Sequence, residues 1–244
     1  MKRYKMTIAY DGSKYYGWQV QVQSPTVQEC LEKALSTIAK QSIIVTGAGR
    51  TDSGVHALAQ VAHFDFPDIM SNVQLLLALR TKLPLSIQVY EIEEVHADFH
   101  ARYDAKERTY QYIITLNQTP FNYLYKTYFP RKKIDIEKFI DCIPYFIGEH
   151  DFTSFAKPSP KITNHLCDIQ NITIEKINDD IIIEITANRF LHNMVRRMVG
   201  AMVSVSHKSL QPCIITEWIE SKKHSQKNYA TAPPNGLYLK YIKY

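Results

Sequence analysis

Apolar and polar residues alternate from Arg3 to Tyr10, and that period of two predicts a strand. Val27, Leu31, Ala34, Leu35 and Ile38 then recur at three- and four-residue intervals, which predicts a helix. Thr26-Val27-Gln28-Glu29 has the spacing of a capping box at its start. Residues 42–47 form a short β-branched run that leads into a glycine-rich loop, and Gln60 to Phe66 alternates as another strand. Ser71 is placed to cap a helix through about Lys82, with Pro84 beyond it. Residues 86–95 and 97–115 are rich in strand formers.

The second half has a similar order. Asp135 is placed to cap a helix to about Ile147, stopped by Gly148. Strands are expected near 166–177 and 180–187, a long helix from about Phe190 to Ser206, and a shorter helix opened by Pro212. Gly236 to Tyr244 reads as a closing strand. Strands joined by short connections and interspersed with helices predict an α+β protein with an antiparallel sheet.

The chain has 244 residues, 45% hydrophobic and 22% charged, enough to bury a core in one large domain or two packed halves. It has no run of eighteen apolar residues, so no membrane span is expected. The N-terminus lacks the continuous apolar stretch of a signal peptide. Cys30, Cys142, Cys167 and Cys213 have neither metal-ligand nor redox-motif spacing and read as reduced thiols of a cytoplasmic protein.

The net charge of +5 says little by itself. Its distribution says more: Arg131-Lys132-Lys133, Arg196-Arg197 and Lys222-Lys223-His224 are clusters, Lys157 and Lys161 flank a Pro-Ser-Pro turn, and the chain has 16 tyrosines. Basic groups interleaved with aromatics suit phosphate contact and base stacking, although most such residues in any protein are solvated surface and core.

Chemistry concentrates in Gly47-Ala48-Gly49-Arg50-Thr51-Asp52-Ser53-Gly54, which holds three of the eight glycines. No Gly-Lys-Ser/Thr follows, so it is not a phosphate-binding P-loop, and the dinucleotide fingerprint also fails. From residue types alone it is a tight turn in which Asp52 either caps backbone amides or reacts.

Gly49-Arg50-Thr51-Asp52-Ser53-Gly54-Val55-His56-Ala57 closely resembles the signature loop of the TruA family of tRNA pseudouridine synthases. Tyr10-Asp11-Gly12-Ser13-Lys14-Tyr15-Tyr16-Gly17-Trp18-Gln19, Val27-Gln28-Glu29, Phe99-His100-Ala101-Arg102 and Arg108-Thr109-Tyr110-Gln111-Tyr112 are similar to further family motifs. So are His150-Asp151-Phe152-Thr153-Ser154-Phe155, Phe190-Leu191-His192-Asn193-Met194-Val195-Arg196, and Thr231-Ala232-Pro233 with Gly236-Leu237-Tyr238-Leu239. They run in family order from residue 10 to residue 239.

The resemblance implies isomerisation of uridine to pseudouridine in the anticodon arm of tRNA, at positions 38, 39 and 40, by a homodimer using no cofactor and no metal. It implies two ferredoxin-like halves, residues 1–104 with the catalytic loop and residues 105–244, sharing an antiparallel sheet with the cleft between them. By it, Asp52 is the essential carboxylate and nucleophile, Arg196 its partner, Tyr110 the residue that stacks on the base, and Leu237 the apolar residue beneath it. Arg50 and His56 flank Asp52 and are expected to meet phosphate or sugar of the flipped nucleotide. A carboxylate kept charged in a partly dry pocket needs a cation beside it. On a helix from Phe190, Leu191, Val195, Met198 and Met202 form one stripe, and Arg189, Asn193, Arg196 and Gly200 fall opposite.

Three departures stand out. Ser53 replaces the usual alanine, Val20 stands where an arginine is common, and Arg189 and Arg197 add charge to a helix that is often neutral. Two other functions fit parts of the chain. A silent tRNA-binding protein needs the basic surface but not Asp52, Arg196 and Tyr110 together. A nucleosidase-like hydrolase needs a second carboxylate, for which Asp65, Asp98 and Asp104 are candidates.

Overall fold

The computed structural model describes residues 1–132, 134–160, 162–223 and 229–244; Lys133, Lys161 and His224 of the basic clusters lie outside the described residues. The chain divides into two compact units, Met1–Lys106 with Tyr238–Tyr244, and Glu107–Leu237.

In the first unit, strand β1 (Lys2–Tyr10) leads to helix α1 (Val27–Ala39), strands β2 (Val45–Gly47) and β3 (His56–Phe66), helix α2 (Asn72–Lys82) and strand β4 (Ile87–Val95). The sheet order is β4-β1-β3, with β2 also on β3 and every one of these pairs antiparallel. This is the ferredoxin-like βαββαβ arrangement. Thr26 Oγ1 accepts from the Glu29 amide at 3.4 Å, and Ser71 and Gln74 form a reciprocal capping box, so both predicted starts hold. Alternate residues of β1 are buried, and Met6 and Ile8 of that strand, Leu31 and Leu35 of α1, and Leu75 and Leu79 of α2 are all core residues. Strand β9 (Leu237–Lys243) returns from the far end of the chain and pairs in parallel with the start of β3, His56 opposite Tyr238 and Ala57 opposite Leu239.

In the second unit, β5 (Glu107–Thr115), β6 (Gly148–Asp151), β7 (Leu166–Ile177) and β8 (Asp180–Ala187) form an antiparallel sheet in the order β5-β8-β7-β6. Helix α3 (Ile136–Ile140) follows β5, α4 (Met194–Lys208) follows β8, and α5 (Ile214–Glu220) comes next. The core of this unit includes Tyr112, Phe139, Phe146, Ile183, Ile185, Met198 and Met202, each fully buried.

Three predicted elements differ. Residues 97–106 are turns, because His63 Nδ1 and the Asp104 carboxylate accept the Ala101 and His100 amides that a strand would have paired elsewhere. The helix expected from Asp135 to Ile147 stops at Ile140 and resumes only as one 3-10 turn, Ile143–Tyr145, with Pro144 at its start; Asp135 makes no side-chain cap. The long helix starts at Met194, because Asn193 takes a left-handed conformation with φ of 65° that cannot continue a helix backwards to Phe190.

Candidate active site

The loop between β2 and β3 is pinned from two directions. On its own side, the Ala48 amide donates to the Val61 carbonyl at 2.7 Å and the Gln60 side chain donates to the Gly49 carbonyl at 3.0 Å. Asp52 then opens a turn in which its carbonyl accepts the Val55 amide at 3.1 Å, with Gly54 at φ of 77°. From the other side comes the Tyr10–Gln19 segment. Tyr10 Oη and Thr51 Oγ1 are 2.8 Å apart and buried, and the Trp18 amide donates to the Thr51 carbonyl at 3.1 Å. The Gly54 amide and the Ser53 hydroxyl both donate to the Tyr15 carbonyl at 3.3 Å.

Two glycines make this approach possible. A Cβ at Gly12 would lie 2.0 Å from the Val55 carbonyl oxygen, and one at Gly17, which has φ of 91°, would lie 2.5 Å from that of Thr51. The N-terminal motif is therefore the mould in which the loop is cast. Trp18 and Tyr15 are buried parts of it, while Tyr16 is 56% exposed.

His56 belongs to the same mould. Its ring is 2% exposed and stacks on Tyr238 of β9 with centroids 4.7 Å apart. Its Nδ1 accepts the Gly12 amide at 3.1 Å, and Asp11 Oδ1 lies 3.3 Å from the same nitrogen. The Gly12 donor is fixed by the backbone, so the contact holds the His56 ring in place against the Asp11–Gly12 turn. Arg50 is exposed at the loop's tip and Asp52 is half-buried.

In the second unit, Tyr110 lies half-buried on β5 with the Phe190 ring edge-on at 5.1 Å. Tyr112, two residues on, is a core residue: its hydroxyl donates to the Pro233 carbonyl at 2.8 Å and meets Thr127 Oγ1 at 2.8 Å. Leu237 opens β9 and is 5% exposed.

Arg196, in the first turn of α4, is held by its own motif and the next. Nε donates to the Ala232 carbonyl at 2.7 Å and Nη1 to Asn193 Oδ1 at 3.0 Å, while the Ala232 amide returns a bond to the Arg196 carbonyl at 3.0 Å. These bonds fix where its guanidinium points. Gly200, expected opposite the apolar stripe with Arg196, is buried against Ala230, because residues 230–232 lie directly on that side of α4. Arg197 is likewise not surface charge. Its Nη1 donates to the Ala156 carbonyl at 2.6 Å and that of Ser154 at 3.3 Å, and burial lowers its pKa from the usual arginine range. It ties the 150–155 motif to α4.

His96 and His100, four apart in sequence, are not a ligand pair, since His100 Nδ1 accepts the Arg102 and Tyr103 amides. Burial pushes the thiols of Cys142 and Cys167 up to about 12, which leaves them as packing groups. No helix among the described residues is long and apolar enough to cross a membrane.

The first unit is thus an α+β frame that holds a half-buried aspartate and an exposed arginine in one tight, firmly bonded loop. The family profile described as tRNA pseudouridine synthase matches residues 6–104 and 143–244. The chain is 40% identical to tRNA pseudouridine synthase A of Finegoldia magna over 251 residues, covering 100% of both chains. It is 38% identical to the protein of that name from Limosilactobacillus fermentum, covering 100% of this chain and 96% of the relative. With that of Bacteroides thetaiotaomicron it shares 39% identity, covering 100% and 91%. A chain in a crystal structure of a Cbf5-Nop10-Gar1 complex covers 82% of this chain and 44% of its own length, with a TM-score of 0.39 and 12% identity. The chain belongs to the tRNA pseudouridine synthase family and has its fold, and its activity is the isomerisation of uridine to pseudouridine.

Proposed function

We propose that the protein acts in the cytoplasm as a homodimer on the anticodon arm of tRNA, at positions 38, 39 and 40. Asp52 is the reacting carboxylate and Arg196 the cation that keeps it ionised. Tyr110 stacks on the extruded uracil, Leu237 lies beneath it, and Arg50 meets a phosphate of the flipped nucleotide. His56, buried and bonded to Gly12, serves by holding the loop rather than by touching RNA.

The bond changes balance without a co-reactant. The N1–C1′ glycosidic bond breaks as Asp52 engages the nucleotide, and the uracil turns while stacked on Tyr110. The C5–C1′ bond forms, C5 gives up its hydrogen as a proton, and N1 takes one up. Stacking on one aromatic is worth roughly 1–3 kcal/mol, enough to retain a detached base.

The observation that carries this reading is the moulding of the Asp52 turn by Tyr10, Gly12, Tyr15 and Trp18, which supports a preformed reactive loop over a solvated surface turn. The test is tRNA tritiated at uracil C5. Wild type should release label and Asp52→Asn should not. Binding without release by wild type would mean a silent binder, and free uracil a hydrolase. Arg196→Met should lower turnover more than tRNA affinity; equal losses would make Arg196 a phosphate contact.

A further inference from the structure

Between Glu107 and Asp135 the sequence has no acidic residue, while Arg108, Lys126, Arg131, Lys132 and Lys133 carry positive charge. The family profile stops at residue 104 and resumes at 143, so this stretch lies between the matched parts. It is also where unexplained aromatic surface collects. Phe121 is 92% exposed and Tyr123 51%, with Tyr125 and Tyr128 each at 39%.

These rings do not sit on a slack loop. Asn122 Oδ1 accepts the Thr119 amide at 2.8 Å, and its Nδ2 donates to the Asn117 carbonyl at 3.0 Å. Asn235 Nδ2 donates to the carbonyls of Tyr123 at 2.7 Å and Lys126 at 2.8 Å. Thr127 exchanges backbone bonds with Ile113 and Thr115 of β5. The backbone is thus held by side-chain amides and by the sheet, and the rings are presented outward. Beside them is an open depression of about 360 Å³ lined by Gln118, Thr119, Pro120 and Tyr123.

We infer that residues 117–128 form an RNA-stacking surface outside the reacting pocket, on which unpaired nucleotides of tRNA stack against Phe121 and Tyr123 while Arg131 and Lys132 meet neighbouring phosphates. Exposed aromatics on a fixed backbone, flanked by bases and free of acids along the segment, have the composition of a stacking platform. The Gln118 amide supplies both a donor and an acceptor for a base edge. Asp179 of the β7–β8 connection and Asp180 at the start of β8 approach the segment, and both are engaged: Asp180 pairs with Lys126, and Asp179 accepts from Asn117 Nδ2 at 3.4 Å. A second copy of this chain is the competing occupant. The surplus of positive charge along the segment, with no acidic residue between Glu107 and Asp135, favours a polyanion over it.

The inference rests on tRNA being the substrate, and the experiment separates the two. Binding of full-length tRNA is measured by fluorescence anisotropy for wild type, Phe121→Ala, Tyr123→Ala and Phe121→Trp, with sedimentation velocity on each. Phe121 is almost wholly exposed, so its replacement leaves the fold intact. Loss of one stacking contact should weaken binding by roughly tenfold. Phe121→Trp should keep affinity, and sedimentation should not change. Arg131→Gln should reduce the salt dependence of binding, while Phe121→Ala should not. Failure of wild type to bind tRNA overturns the substrate reading itself. Wild-type binding with an equal affinity for Phe121→Ala overturns the stacking surface, and so does a shift in oligomeric state without a change in tRNA affinity.

Discussion

Gly200 sits in the middle of α4, where replacing glycine by alanine ordinarily stabilises a helix by about 0.8–1 kcal/mol. The structure predicts the opposite sign. A Cβ at Gly200 would fall 1.8 Å from the Ala230 carbonyl oxygen and 3.0 Å from its carbon, a backbone obstacle that no side-chain rotation relieves. Relief requires residues 230–232 to lift off the helix. That movement breaks the two bonds joining Ala232 to Arg196, of 2.7 and 3.0 Å. Overpacking costs typically about 1–3 kcal/mol, and the lost bonds add roughly 1–1.5 kcal/mol for the neutral one and 1.5–3 kcal/mol for the charged one. Set against the propensity gain, Gly200→Ala should lose about 2.5–6.5 kcal/mol. For a chain of this size that lowers Tm by roughly 5–25 °C. Differential scanning calorimetry reads this directly. Turnover measured well below the new Tm should also fall, since Arg196 loses its Ala232 anchor. A Tm equal to or above that of wild type would refute both the close approach and the positioning assigned to residues 230–232.

Three further outcomes follow from the same geometry. His56→Asn puts an acceptor where Nδ1 stood and should retain most turnover, while His56→Leu should lose at least tenfold in kcat with tRNA affinity kept; a loss confined to affinity would return His56 to the RNA. Burial lowers the pKa of His63 to about 4 from an ordinary value near 6.5, so the unfolded chain takes up this proton first and the stability His63 contributes is lost as pH falls from about 6.5 to 4. His63→Asn keeps an acceptor for the Ala101 amide and should flatten that part of the urea-stability profile; an unchanged slope would mean that His63 is not buried neutral. Tyr112→Phe removes the hydroxyl shared by Pro233 and Thr127 and should cost about 1–3 kcal/mol, checked by urea denaturation, with less than 0.5 kcal/mol showing that the network is not closed.

Local signals were readable where one short segment decides the outcome. Thr26 and Ser71 each accept the amide three residues on, with the reciprocal box closed at Ser71 and only its first half made at Thr26, and the alternating strands lie where their period puts them. Asp135 looks like the same signal, but the Ser206 hydroxyl accepts its amide from a distant helix and its own side chain caps nothing. Phe190 and Leu191 extend the periodicity of α4 backwards, yet a single left-handed residue, Asn193, ends the helix before them. The Asp52 turn could be read as a turn, and the motif series pointed to its chemistry. What holds it could not. Tyr10, Gly12 and Trp18 are some forty residues away, and Tyr238 reaches His56 only through a parallel pairing that no pattern along the chain announces. Arg197 carries no sign along the sequence of the Ser154 and Ala156 carbonyls that bind it, since those lie some forty residues away.

The parallel pairing of β9 with β3 has a consequence in time. The first unit is assembled from residues up to Lys106 and then, after an interval, from Tyr238 onward. A ribosome adding about 5–20 residues per second leaves that unit without its last strand for on the order of ten seconds. During that interval the His56 ring lacks its Tyr238 stacking partner, and the start of β3 at His56 and Ala57 lacks its parallel strand. A chain cut short in synthesis would carry the complete Asp52 loop yet lack its final support.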